Sequence, residues 1–189
     1  MSIIRAIVVA GFALLSTGGA LLGQQAWLLV KAGVAERLIE RAFVAHLEDG
    51  RVHLPWRWAD TWPLARIEVP RLGVTRTVLA GASGSTLAFG PGHVDGTALP
   101  NRSGNSALAG HRDGWFAFLQ ELETRDRVVL TTHGEVRVYT VVETGVRSMW
   151  DVEVLEPSAG RQLTLITCYP FDGPPGGPWR YVVTAAGED

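Results

Sequence analysis

From residue 65 onward the chain breaks into short segments of strand character, each closed by glycine, proline or another turn former. Segments at 65–69, 74–79, 106–110, 127–132, 136–144, 162–167 and 179–185 carry alternating patterns or compact apolar runs. Residues 70–73 turn the first pair, and His133-Gly134 makes a tight hairpin later on. Helical periodicity is confined to short pieces around 83–87 and 115–122. No rhythm of strands alternating with long helices appears. The pattern therefore predicts an all-β, antiparallel barrel or sandwich.

The N-terminal third obeys different rules. Residues 6–30 contain no charged side chain, and about 20 such residues suffice to cross a bilayer as a helix. The stretch is longer than the apolar core of a cleaved signal, so the reading is a retained membrane anchor over 1–30. Small residues at Ser16-Thr17-Gly18-Gly19-Ala20 leave cleavage open. Arg5 flanks one side, and Lys31, Arg37 and Arg41 flank the other with Glu36 and Glu40, so charge does not fix orientation. Val34, Leu38, Ala42 and Ala45 recur at helical spacing and predict a juxtamembrane helix with a solvated polar face. Trp56, Trp58 and Trp62 then punctuate a linker that covers one end of the barrel or sits at a membrane interface. The expected organisation is anchor 1–30, helix and linker 31–63, and catalytic domain 64–189.

A net charge of −2 gives no electrostatic basis for binding nucleic acid. The single cysteine excludes an intrachain disulfide. That residue, Cys168, closes the strand at 162–167, and Tyr169-Pro170 stops the strand. A thiol at a strand end beside a loop can meet a substrate as a nucleophile; the alternative is a small buried hydrophobe. An ordinary thiol, pKa about 8.5, needs a nearby base or positive charge to react at neutral pH. Of the five histidines, His46, His53 and His133 fall on the helix, the linker and the hairpin turn. His111 ends an apolar strand at Gly110, as Cys168 ends its own. His93 lies in a Gly/Pro loop, where it could stabilise the loop or line the site. If the last two strands pair across the loop at 170–178, Arg180 comes opposite Cys168, within about 5 Å at Cβ. A guanidinium there could stabilise an oxyanion or hold a substrate backbone. No zinc-like spacing, Walker loop or dinucleotide fingerprint occurs, so no metal or cofactor is expected.

Together these residues resemble the sortases, membrane-anchored cysteine transpeptidases. Thr164-Leu165-Ile166-Thr167-Cys168 is similar to their TLxTC signature, and Ala109-Gly110-His111-Arg112-Asp113 to their strand-end histidine motif. Arg180 falls on the arginine of their last strand. Pro70-Arg71-Leu72-Gly73, Gly90-Pro91-Gly92-His93 and Thr167-Cys168-Tyr169-Pro170-Phe171 resemble class D-like members. The tryptophan-rich linker resembles a group from Gram-negative bacteria that accompanies a dedicated target protein.

The resemblance implies an eight-stranded β-barrel behind an N-terminal transmembrane helix, with the catalytic domain outside the cytoplasm at the inner membrane. It implies a secreted protein substrate carrying a Leu-Pro-X-Thr-Gly-type sorting signal, cut between Thr and Gly. Cys168 would be the nucleophile, His111 the acid and base, and Arg180 the oxyanion stabiliser, with an amine of unidentified origin as acceptor. His93, Thr167 and Trp150 are candidates for substrate contact. Trp150 belongs to the segment 146–161, where sortases place the loop beside the signal groove, and could equally pack on the barrel. Two other readings stay open: a membrane-anchored cysteine hydrolase that trims signals without transfer, and a non-catalytic barrel module with a structural cysteine.

Overall fold

The computed structural model describes residues 3–174 and 176–188, apart from the side chains of residues 4–10, 13, 28 and 29. The chain divides into two units, residues 1–37 and 38–189. A helix α1 runs over Ile3–Asp49. In the first unit Phe12, Leu14, Leu15 and Leu22 are largely exposed. Among the described residues no helix is long and apolar enough to cross a membrane. The expected transmembrane anchor over 1–30 is therefore not found, and twelve of its side chains (1, 2, 4–10, 13, 28 and 29) lie outside the described set.

The second unit begins with the last turns of α1. Ile39, Ala42 and Phe43 are buried, an i, i+3, i+4 stripe rather than the expected 34–38–42–45 face. The reason is Phe43, fully buried under the Arg66 guanidinium 4.6 Å from its ring centre. Arg66 also pairs with Glu40, so the helix's polar face is not merely solvated. His133 caps the helix end: its ring nitrogen lies 2.9 Å from the Leu47 carbonyl oxygen, one of the acceptors a helix leaves unpaired there.

Eight strands close a barrel: β1 (Pro63–Val69), β2 (Val74–Leu79), β3 (Gly92–His93), β4 (Gly104–Ala109), β5 (Arg127–Thr132), β6 (Glu135–Ser148), β7 (Arg161–Tyr169) and β8 (Trp179–Gly187). The order around the wall is β1-β2-β3-β4-β7-β8-β6-β5. A short α2 (Gly84–Leu87) and 3₁₀ turns at Pro70–Leu72, Ala117–Glu121 and Val152–Leu155 complete the fold. Closure leaves no open sheet edge. The two-residue β3 has no readable sequence pattern, which is why it is missing from the expected segments.

Two pairings depart from the antiparallel expectation, the short β2–β3 contact and β4–β7, and the second matters most. Strand β4 runs parallel to β7, with Leu108 beside Leu165 and Ala109 beside Ile166. Two parallel neighbours end at the same rim, so whatever follows Ala109 arrives beside whatever ends β7. Inside the barrel Ala65, Ile67, Leu108, Leu130, Tyr139, Leu163, Leu165 and Val183 form one continuous core with Phe116 and Leu119. Buried Asp126 ties the start of β5 to the turn after β1 by hydrogen bonds from Arg71 of 2.5 and 2.6 Å. Those bonds hold the Asp126 carboxyl below the usual carboxylate range.

Candidate active site

The alternation of β7 decides where each side chain goes. Leu163, Leu165 and Thr167 turn into the core side and are buried; Cys168 falls on the opposite, outer face and is half-buried. The β7–β8 ladder sets Cys168 directly opposite Arg180, and the β6–β8 ladder sets Arg147 opposite Arg180 on the other side. On β4 the parallel register pairs Ala109 with Ile166, and the Gly110 amide donates to the Ile166 carbonyl at 3.1 Å. Arg147, Arg180 and Cys168 thus form one row across β6, β8 and β7, and His111 follows two residues past the end of β4, the parallel neighbour of β7. Neighbouring strands lie about 4.8 Å apart, which is side-chain reach.

Local structure holds this row in place. A side chain at Gly110 would put its Cβ 2.7 Å from the Phe116 ring, so glycine is required where the chain leaves the strand. The His111 carbonyl accepts from the Phe116 amide at 2.9 Å, folding the chain back so that the His111 side chain stays exposed. Arg180 donates from Nη1 to the carbonyls of Gly177 at 2.9 Å and Trp179 at 2.8 Å. Its neighbour Arg147 is paired with Glu143, which offsets the like charge beside Arg180.

Three residues expected to touch substrate are placed differently from one another. Thr167 is 2% exposed and its hydroxyl donates to the Gly110 carbonyl at 2.7 Å. It cannot reach a ligand on the outer face; it joins the two strands that carry Cys168 and His111. His93 is also buried, with Nε2 2.9 Å from the Ala98 carbonyl oxygen and 3.2 Å from the Thr97 hydroxyl. It braces the loop after β3 and does not line the site. Trp150 is 77% exposed at the head of the segment after β6, neither packed on the barrel nor closed over Cys168.

Sequence reasoning passed over residues that shape the site. Arg112 donates through both terminal nitrogens to the carbonyls of Pro170 and Gly173, pinning the loop that follows Cys168. Asn105, on the outer face of β4, donates to the Val154 and Glu156 carbonyls at 2.9 and 3.1 Å. Their partners lie some fifty residues away or more, so no local pattern announces them. The one sequence signal was a polar Asn at the head of an otherwise apolar strand. Among the described residues no group of three or more His, Cys, Asp or Glu could hold a metal ion.

Residues 67–188 match the sortase domain. Over 119 residues the chain is 30% identical to sortase D of Bacillus subtilis, and it spans 60% of the length of that curated relative and 62% of its own. A Clostridium perfringens sortase D5 transpeptidase shares the fold with a TM-score of 0.69 at 23% identity, covering 83% of this chain and 99% of the other. Listeria monocytogenes sortase A is similar at a TM-score of 0.61 and 27% identity, covering 67% and 88%. A mutant of Streptomyces avermitilis sortase E reaches 0.59 at 32% identity over the same shares.

Proposed function

This chain belongs to the sortase family, and from that premise we propose that it is a cysteine transpeptidase acting on the C-terminal sorting signal of a secreted protein. The observation that carries the reading is Cys168 directly opposite Arg180 on β7 and β8, with His111 two residues past the end of the parallel neighbour β4. The Cys168 thiol passes its proton to His111 as its sulfur attacks the carbonyl carbon of the signal's Thr–Gly bond, and the Arg180 guanidinium balances the charge that develops on oxygen. The C–N bond then breaks, His111 gives a proton to the departing glycine amine, and a thioester to Cys168 remains. An acceptor amine adds to that thioester and gives up its proton to His111; the C–S bond breaks and the thiol returns.

The proposed signal is of the Leu-Pro-X-Thr-Gly type, with Trp150, exposed beside the outer face, meeting its apolar end. Likeness to a sortase D and the motifs quoted above support class D-like membership. The uncharged residues 6–30 support a membrane tether, with the barrel outside the cytoplasm. The tryptophan-rich linker supports a Gram-negative setting, where the barrel stands in the periplasm and serves a dedicated partner.

A fluorogenic peptide library of this type, incubated with the protein with and without an added amine, tests the reading. Cysteine-dependent cleavage with an amine-joined product is the expected result. Cleavage that yields only the free acid at every amine concentration would make the protein a hydrolase. No cleavage, together with an unreactive thiol, would leave a non-catalytic barrel.

A further inference from the structure

The segment 149–160 has no obvious means of staying where it is. Its 3₁₀ turn Val152–Leu155 contains no buried residue, and Trp150 and Val152 are 77% and 66% exposed. Hydrophobic packing, which holds most such turns, contributes little here. The segment is fastened near its ends by backbone bonds, from the Met149 amide to the Pro178 carbonyl and from the Gly104 amide to the Gly160 carbonyl. Its middle is fastened by Asn105.

Asn105 is 2% exposed, and its amide is fully used. Both donor bonds go to the turn, at Val154 and Glu156, while its oxygen accepts from the Thr164 hydroxyl at 2.7 Å. Thr164, on the outer face of β7, is 1% exposed, and its hydroxyl also accepts from the Gln162 amide at 3.2 Å. Four residues farther along the same face is Cys168. On a strand that is about 13 Å, the span of an extended peptide of four residues. Between Thr164 and Cys168 lie Ile166 and Ala109, half-buried and paired across the β4–β7 ladder. On the other side of β4 the loop after β3 is joined to it, the Thr97 hydroxyl accepting from the Ala107 amide at 3.1 Å.

We propose that Asn105, seated on Thr164, is a positioning residue that fixes the 149–160 segment as one wall of the acyl-donor groove and thereby sets the signal's selectivity. The inference rests on the transpeptidase reading above. Asn105 touches neither the reacting atoms nor the peptide. It acts through the wall, so its loss loosens the groove and leaves the Cys168 row intact.

Three variants separate the roles. Asn105→Ala removes both donors, Asn105→Asp presents a carboxylate to two carbonyl oxygens, and Thr164→Val removes only the support beneath Asn105. Each is assayed against signal peptides varied at their first two positions, alongside alkylation of Cys168, the only thiol. Losing two hydrogen bonds predicts KM rising about tenfold for Asn105→Ala, at least as much for Asn105→Asp, and less for Thr164→Val. Discrimination between peptides should shrink by a similar factor, while kcat and the alkylation rate stay within about twofold. Unchanged KM and selectivity in Asn105→Ala would overturn the proposal, as would a parallel fall in kcat and alkylation, which marks a general loss of structure.

If the wild type cleaves no peptide, the transpeptidase reading fails, and amide hydrogen exchange still decides the clamp. The amides of residues 152–156 should then exchange about tenfold faster in Asn105→Ala than in the wild type, and equal rates would overturn it.

Discussion

The wall of the barrel and the loops at its active rim are built on different principles. In the wall, β7 pairs with β4 over residues 161–166 on one side and with β8 up to Tyr169 on the other, and its inward side chains join the common core. Cys168 and Arg180 stand on that wall, so their relative position is set by many cooperating bonds. The loops depend on single side chains. Asn105 holds the segment after β6, and Arg112 and Arg180 hold the carbonyls of the loop between β7 and β8. The difference teaches where chemistry and selectivity reside: the reacting groups are carried by what cannot easily move, and the surfaces that meet the signal by what one substitution can release.

The sharpest way to test this division is to change the row itself. Cys168→Ala should lower turnover at least about ten-thousandfold and leave the melting temperature nearly unchanged, because the side chain is half-buried and outside the core. Arg180→Ala should cost about 10²–10³ in kcat if it stabilises the oxyanion. A change confined to KM would move Arg180 from the chemistry to binding. Phe43→Ala attacks the fold and spares the row: emptying that fully buried site under Arg66 should cost about 3–5 kcal/mol in denaturant titrations. Kinetic constants measured well below its melting point should stay within about threefold of wild type.

Arg112→Ala belongs to the loops. Releasing the Pro170 and Gly173 carbonyls should reduce kcat/KM by about tenfold with little change in the alkylation rate of Cys168. If alkylation and turnover fall together, the loop after β7 is part of the reactive frame and the comparison breaks. The smallest effect is one of pH. The Arg71 hydrogen bonds depress the Asp126 carboxyl in the folded protein below its unfolded value of about 3.9. Its contribution is therefore complete above that value and is lost as pH falls through the folded pKa. Melting curves of Asp126→Asn should lack this part of the acid slope below about pH 4.

What could be read in the sequence follows the same boundary. Strand-borne features were legible because alternation and ladder pairing are local rules carried through a tight connection. The opposition of Cys168 and Arg180 follows from two strands meeting across one loop. Features that depend on distant partners were not legible. The stripe of α1 shifted because Phe43 found a seat against Arg66. Thr167 was legible, since alternation alone sets it on the face away from Cys168, whereas His93 turned to the Ala98 carbonyl of its own loop, which the Gly/Pro spacing does not announce. Asn105 reaches carbonyls 49 and 51 residues away, which no periodicity encodes.

The central claim is that this row performs acyl transfer through Cys168. It is tested most directly by intact-mass measurement of the protein during turnover of a cleavable signal peptide. The account predicts an adduct equal in mass to the peptide's acyl half, located on Cys168 by digestion, that disappears when an amine is added as the amine-joined product forms. Product formation by Cys168→Ala, or turnover by the wild type with no adduct even when rapidly quenched, would contradict it.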